Sequence, residues 1–432
     1  MDLTRTKIIA TVGPSCSTLK KIRKMVDRGV NCFRINLSHG SRKEKESYFK
    51  LIKSMVLPKG GRPAILADIA GPKIRVIGLS ESIHLQKNDL VSISNEKMGE
   101  NVIPVSNGVK FKDVGQGAKI LINDGRVSLE VIHHLSDSTL ECKTIIPGVV
   151  ENRKGVNFPG IALDVPTLTE QDEEDLKLAL ANNADWLALS FVRFPHDYDL
   201  IRSRVREYGS SIPIMAKIEK WEAVENMDGI IDAFDAVMVA RGDLGVELPV
   251  EQVPLIQKNV IEKSSQAGKP AVIATQILDS MTERPIPTRA EVSDIANAIL
   301  DGVDALMVTG ETAIGEYPLK VIKVLNRVIK ETEASINYGN FYLSVSQNKL
   351  NTAGAISRAA CSVLNTQDIN TLVTMTHSGS TARMISRHRP SAQIIAMTPI
   401  KKICSQLSIV WGVRPYLITE YNSSDEIPDI VN

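Results

Sequence analysis

Eight short runs along the chain are almost continuously apolar and β-branched, and each ends in polar or glycine residues. They fall at 6–13 (TKIIATVG), 31–38 (NCFRINLS), 64–70 (AILADIA), 186–192 (WLALSFV), 212–219 (IPIMAKIE), 236–242 (AVMVARG), 270–276 (PAVIATQ) and 305–311 (ALMVTGE). Such runs predict parallel strands buried on both faces. Amphipathic stretches with helix-start signals lie between most of them. Thr169 offers a hydroxyl cap ahead of Glu170 and Asp172, acids that suit the positive end of a helix dipole. Thr288 with Glu291 has capping-box spacing. Eight strand–helix units predict an α/β fold, a (β/α)8 TIM barrel. A doubly wound open sheet is the alternative, and eight, the closing number, favours the barrel.

The third and fourth runs are about 115 residues apart, far beyond an ordinary strand–helix loop. The interval is punctuated by Gly, Asn and Asp and carries short alternating runs at 127–132 and 140–145. It predicts a small β-barrel lid domain inserted after strand three, on the face where barrel active sites form. After about 336 the pattern restarts with a helical stretch at 352–364 and strands at 371–376 and 394–398. The expected division is a catalytic barrel of 1–72 and 166–336, a lid of 73–165 and a shortened C-terminal α/β domain of 337–432, ending in a polar tail from 420.

Composition changes this picture little: 43% hydrophobic and 23% charged residues are ordinary for a globular chain. A formal net charge of +1 gives no field for nucleic acid or an anionic membrane. No apolar run approaches a membrane span, and the first residues lack a signal-peptide block. Five dispersed cysteines without CxxC pairs argue against disulfides and predict a cytoplasmic protein.

Barrel chemistry sits at the C-terminal ends of strands, and those ends are unusually polar here. Period-two alternation puts Lys217 and Glu219 on one strand face. With Asp243, Glu219 predicts a two-carboxylate pocket for Mg²⁺, beside which Lys217 is a fixed charge for a migrating phosphoryl group. A structural Lys–Glu pair is the plainer reading. Arg34, Asn36 and Ser38 alternate onto one face; Arg34 suits a phosphate, while Asn36, Ser38 and Asp68 suit a monovalent cation or nucleotide phosphate. Ordinary strand-end capping is the alternative there, and the favoured one for His39 alone. Gly242 and Asp243 lie in a glycine-punctuated turn whose backbone can approach a carboxylate or phosphate.

Ten ordered segments, among them TKIIATVGPSC, FRINLSHG, GPKIR, MAKIE, ARGDLGVELP, GKPAVIATQ and PTRAEVSDIANAILDGVDA, together resemble the pyruvate kinase family. The resemblance implies phosphate transfer from phosphoenolpyruvate to ADP, giving pyruvate and ATP, by a homo-oligomer, tetrameric or dimeric. It implies that Lys217 stabilises the transferring group, that Glu219 and Asp243 bind Mg²⁺, and that Arg34 holds the substrate phosphate. Gly242, Asp243 and Thr275 would hold the substrate carboxylate, with Thr275 near the protonated carbon. Asn36, Ser38, Asp68 and the Ile69 carbonyl match a K⁺ site, and Asn36, His39, Arg75 and Lys154 match nucleotide-side contacts.

Three departures carry expectations. Lys73 stands where many members have an acid beside the K⁺ site; a built-in cation there predicts little K⁺ requirement, a neutral lineage difference being the alternative. Lys220 replaces the usual Asn and Thr309 the usual Ser, with no loss of metal binding expected. The segment 376–381 (THSGST) resembles the effector-phosphate loop, yet the chain stops tens of residues before the family's usual end, which predicts an altered effector response. Two other functions compete: an aldolase or lyase on a related phosphoenolpyruvate-binding barrel, and a catalytically idle regulatory relative. The inserted lid, Arg75 and Lys154 argue against the first, and the intact Lys217, Glu219, Asp243 and Thr275 against the second.

Overall fold

The computed structural model describes residues 4–57, 61–96, 99, 101–106, 110–163, 165–338, 352–367 and 369–420. The chain opens with β1 (Lys7–Thr11), β2 (Val30–Asn36) and β3 (Ala64–Ile69). Eight strands of an inserted unit follow: β4 (Ile83–Leu85), β5 (Leu90–Ser94), β6 (Val102–Pro104), β7 (Lys119–Ile122), β8 (Val127–Ser136), β9 (Thr139–Ile146), β10 (Gly148–Val150) and β11 (Val156–Asn157). The first unit resumes with β12 (Trp186–Leu189), β13 (Ile214–Ile218), β14 (Ala236–Ala240), β15 (Ala271–Ala274) and β16 (Ala305–Val308). Last come β17 (Thr371–Met375), β18 (Gln393–Thr398) and β19 (Val413–Leu417).

The eight runs form one closed parallel barrel in the order β1-β16-β15-β14-β13-β12-β3-β2. β1 closes the ring by pairing with both neighbours, Ala10 opposite Val308 on one side and Phe33 on the other. The open-sheet alternative is thereby excluded. Alternation then divides each strand. Ile9, Cys32, Leu66, Ala188, Met215, Met238, Val272 and Met307 fill the barrel interior. Ile8, Phe33, Ile65, Leu187, Ile214 and Val237 pack outward against the helices. The interior is apolar in its lower layers, and the next inward positions along β2, β3 and β13 are Arg34, Asp68 and Lys217. The capping boxes at Thr169 and Thr288 are both present, and Ser41–Glu44 adds a third, unanticipated one.

The inserted unit is a strongly curled six-stranded sheet, β11-β7-β8-β9-β5-β6, with the pair β10-β4 beside it. The segment 74–77 stitches the two edges together. Val76 N donates to Lys154 O at 2.8 Å, and Ile77 N to Pro104 O at 3.0 Å. The curl encloses its own core, including Ile93, Phe111, Leu129, Leu140 and Phe158. Gly71, at φ +67°, marks its root; a Cβ there would stand 2.9 Å from the Ser190 carbonyl, so only glycine fits this turn.

The C-terminal unit is a three-stranded parallel sheet, β17-β18-β19, with helices Thr352–Thr366, Ser380–Ser386 and Lys401–Gln406. It plugs the N-terminal face of the barrel. Ile409 joins the interior core, Trp186 Nε1 donates to Gln406 O at 3.1 Å, and Lys7 Nζ donates to Val413 O at 2.7 Å. All five cysteines are free and buried. Among the described residues no helix is long and apolar enough to cross a membrane. The polar tail lies, beyond Glu420, outside the described residues.

Candidate active site

The mouth of the barrel gathers polar side chains from four consecutive strands, three of them bringing charge. Arg34 Nε donates to Asp68 Oδ2 at 2.7 Å, and its Nη1 reaches Thr11 Oγ1 at 3.4 Å. Lys217 Nζ donates to Ser190 Oγ at 2.8 Å and lies 3.3 Å from Asp68 Oδ1 and 2.9 Å from Glu219 Oε1. Glu219 Oε2 accepts the Phe191 N–H at 2.8 Å. Arg34, Asp68, Ser190, Lys217 and Glu219 thus form one connected net, with Lys217 and Glu219 on one strand face as alternation predicts.

The net sets its own protonation. Burial opposes charge on Lys217, but Asp68 and Glu219 outweigh it, so its pKa lies above the ordinary lysine value and the ammonium persists. Burial likewise opposes charge on Asp68, and Lys217 and Arg34 overcome it, holding that carboxyl below its usual range. Glu219 goes the other way: burial raises its pKa, Asp243 adds to the rise, and Lys217 only partly opposes. A carboxylate destabilised by burial and by a second carboxylate is the state a divalent cation corrects.

The other Glu219 oxygen carries an ion pair but no hydrogen bond. This Oε1 lies near Lys217 but without hydrogen-bond geometry, and has no hydrogen-bond partner among the described residues. Among those residues no three His, Cys, Asp or Glu side chains converge as a metal site. Two carboxylates with one oxygen free of hydrogen bonds fit Mg²⁺, which takes one or two protein carboxylates and draws its remaining ligands from water and substrate. The K⁺ donor set fits less well. Both Asp68 oxygens face cationic side chains, and the Ile69 carbonyl accepts from Ser190 Oγ at 2.7 Å. Asn36 Oδ1 accepts the Ser38 N–H at 3.1 Å.

Lys73 reaches Asp243 rather than Asp68. Its Nζ donates to Asp243 Oδ1 at 2.7 Å and sits 5.8 Å from the centre of the Phe191 ring. Gly155 makes room for it, since a Cβ there would stand 2.9 Å from Lys73 Cε. Lys220 turns away from Glu219 to donate to Glu247 Oε1 at 2.7 Å, and Glu247 also accepts from Asn157 Nδ2 of β11 at 2.8 Å. Glu247 closes the helix Arg241–Glu247 that carries Asp243, so this bond ties the lid to that helix.

Thr275 Oγ1 accepts the Gly242 N–H at 2.8 Å and donates to Ala274 O at 2.6 Å. Thr275 holds φ +65°, Gln276 φ +53° and Phe191 φ +56°. Left-handed backbone costs non-glycine residues about 1–3 kcal/mol and collects at working sites. Arg241 supports the strained turn through Nη2, which donates to Thr275 O at 2.8 Å and to Gln276 O at 3.0 Å, and is itself paired with Asp294.

A cavity of about 430 Å³ adjoins the mouth, lined by Ser38, Gly40, Lys45, Lys73, Arg75 and Asp172 among others. Arg75 also donates to Arg153 O at 3.3 Å. Burial lowers the pKa of His39, and Arg75, Arg34, Lys45 and Lys73 lower it further, so the cationic rim extends over it. Lys154 stands apart, paired with Glu151 at 3.2 Å. Sequence reasoning missed Ser190, Thr11, Arg241 and Glu247. Ser190 and Thr11 are uncharged, but each takes the inward phase of its strand, a signal that alternation supplies. Glu311, the polar end of the eighth run, accepts from Leu278 N at 3.0 Å and Thr309 N at 2.6 Å, and braces loops.

A barrel mouth under a lid, with a buried ammonium, a phosphate-suited arginine and two metal-suited carboxylates, defines a phosphoryl-transfer enzyme. The family profile described as pyruvate kinase, barrel domain, matches residues 3–322, and that described as pyruvate kinase, alpha/beta domain, matches residues 354–432. The chain is 42% identical over 415 residues to the pyruvate kinase of Thermotoga maritima, covering 95% of this chain and 88% of the relative. It is 39% identical over 431 residues to pyruvate kinase 2 of Synechocystis sp., covering 98% and 72%. The crystal structure of a pyruvate kinase from Cryptosporidium parvum superposes with a TM-score of 0.94 at 34% identity, over 99% of this chain and 89% of that one. The chain belongs to the pyruvate kinase family, whose members are divalent-metal-dependent phosphotransferases of glycolysis.

Proposed function

We propose that the chain transfers the phosphoryl group of phosphoenolpyruvate to ADP in the cytoplasm, with Mg²⁺ on Glu219 and Asp243. The observation that carries the residue assignment is Lys217, an ammonium buried at the mouth and held protonated by Asp68 and Glu219. Mg²⁺, when bound, would supply the positive charge that screens the phosphate oxygens and offsets the burial that disfavours charge on Glu219. Arg34 Nη2 remains for the substrate phosphate while Nε is held by Asp68 and Nη1 by Thr11. Lys217 stabilises the charge that develops as the phosphorus–oxygen bond to the enol breaks and an ADP oxygen takes the phosphoryl group. A fixed ammonium in a low-dielectric mouth needs no reorganisation at that moment. The substrate carboxylate takes over the Gly242 N–H from Thr275 Oγ1. The freed Thr275 hydroxyl is then placed to relay a proton through water to the enolate carbon. Arg75, His39, Asn36 and Lys154 form the nucleotide side.

Activity with little K⁺ is part of the same reading. Arg34, Lys217 and Ser190 already satisfy the Asp68 and Ile69 acceptors, while Lys73 brings a tethered cation to Asp243 at the same mouth. A homo-oligomer, tetrameric by family, completes it. Pyruvate formation from phosphoenolpyruvate and ADP with Mg²⁺, with and without K⁺, tests both parts. No turnover under either condition sinks the catalytic assignment; a strict K⁺ requirement sinks the second part alone.

A further inference from the structure

A second cavity, of about 670 Å³, opens at the opposite face of the barrel, against the C-terminal domain. Four cations border it: Lys53 at the end of helix Arg42–Lys53, Arg62 just before β3, and Lys401 and Lys402 at the start of helix Lys401–Gln406. A single carboxylate, Asp185, faces them. That carboxylate is already taken. Arg62 Nη1 holds Asp185 Oδ2 at 2.6 Å and Nη2 holds Oδ1 at 3.1 Å, while Ile65 N donates to Oδ2 at 2.8 Å. Lys53 reaches only the neutral Asn182 Oδ1, at 3.4 Å. Among the described residues no carboxylate lies within ion-pair distance of Lys53, Lys401 or Lys402.

Three unbalanced ammonium groups around one concavity concentrate anions there. Burial, with Arg62 and Lys50, holds Lys53 below the ordinary lysine pKa, and burial lowers Lys402 as well despite Asp185. A bound anion would relieve both. The volume falls within the roughly 300–1,000 Å³ of small-ligand sites. Arg62, whose fork suits a planar carboxylate, is engaged, so the free donors are lysines, point charges suited to a compact tetrahedral dianion. Met55, Leu180 and Leu417 give the walls an apolar part against which a short carbon skeleton can lie.

We propose that this cavity is a binding site for a phosphoryl dianion, carried by a small phosphate monoester or present as free phosphate, held by Lys53, Lys401 and Lys402 between the barrel foot and the C-terminal domain. The site stands apart from the catalytic mouth and does not rest on the reaction assigned there. Calorimetric titration of the full chain at about 0.15 M ionic strength with glycerol 3-phosphate, inorganic phosphate and glycerol tests it. The proteins compared are the wild type, Lys401→Glu/Lys402→Glu, Lys53→Gln and Arg34→Leu. Expected is saturable binding of a phosphoryl ligand but not of glycerol. It weakens at least tenfold in the double variant, weakens in Lys53→Gln, and persists in Arg34→Leu. Tighter glycerol 3-phosphate than phosphate identifies an ester ligand, and the reverse identifies the free ion. Binding unchanged in both lysine variants, binding lost in Arg34→Leu, or no binding to wild type each overturns the proposal.

Discussion

Lys217 shows how far one side chain's surroundings decide its chemistry. Burial alone works against its charge, yet Asp68 and Glu219 hold it protonated in a place that water screens little. Replacing it with Met removes the charge and keeps most of the volume, so turnover is expected to fall by about 10³-fold. Binding of Mn²⁺ and of phosphoenolpyruvate, followed by Mn²⁺ resonance and fluorescence quenching, should persist in that variant. Near-normal turnover in Lys217→Met would falsify its assigned role. Lys73 carries the second prediction at this scale. A Lys73→Glu variant frees Asp243 and replaces the tethered cation with an acid, so turnover should become K⁺-dependent where the wild type is not. Steady-state rates in K⁺ against a tetraalkylammonium salt decide it; equal K⁺ response in the two proteins refutes the link. Both lysines were visible as charges in the sequence, but only one partnership was. Lys217 and Glu219 are two residues apart on a strand, where alternation fixes a common face. Lys73 and Asp243 are 170 residues apart and meet only because the chain turns back at Gly71.

The barrel strands were legible because each reads as an apolar run with a polar C-terminal end, and a closed parallel barrel is the fold that hides eight such runs. The predicted runs overshoot the hydrogen-bonded strands at their polar ends. There Phe191, Thr275 and Gln276 leave the ladder with positive φ, and the Phe191 N–H meets Glu219 while the Thr275 and Gln276 carbonyls meet Arg241. The curl of the lid was less legible, since its edges are joined by the irregular segment 74–77 rather than by a patterned strand. β19 was missed because Arg414 and Pro415 interrupt its apolar pattern, a composition tolerated at a sheet edge. The contact between lid and barrel makes its own prediction. Glu247 is buried and is shared by Asn157 of the lid and Lys220 of the barrel. Glu247→Ala leaves Lys220 with a largely buried, uncompensated charge and should cost about 2–4 kcal/mol of stability in urea unfolding. Lys220→Asn, which keeps a donor for Glu247, should cost less than half of that. Equal losses in the two variants would show that the shared carboxylate does not bind the elements together.

Across the whole molecule, the C-terminal domain is held to the barrel foot by polar groups that no periodicity announces. Arg389 is buried, pairs with Asp304 at 2.9 Å and donates to the Gly302 carbonyl at 2.7 Å, and Trp411 N donates to Asp304 Oδ1 at 3.0 Å. His388, next in the chain and equally buried, is held neutral: burial pushes its pKa down to about 4, and the guanidinium groups of Arg387 and Arg358 push the same way. The sign of the consequence follows from proton counts. The unfolded chain protonates this histidine near its ordinary value of about 6.5, while the folded chain resists until about pH 4. Between those values the unfolded state binds more protons, so stability falls as pH falls; above about 6.5 the two states bind equally and His388 has no effect. A displacement of this size corresponds to about 3 kcal/mol lost across the window. His388→Gln cannot titrate, so its stability should decline less steeply from pH 6.5 to 4, whatever constant offset the substitution adds. Chemical denaturation at half-unit pH steps, compared between the two proteins, isolates the contribution because every other titrating group is common to both. Parallel curves through the window would remove His388 from the acid response of the C-terminal domain.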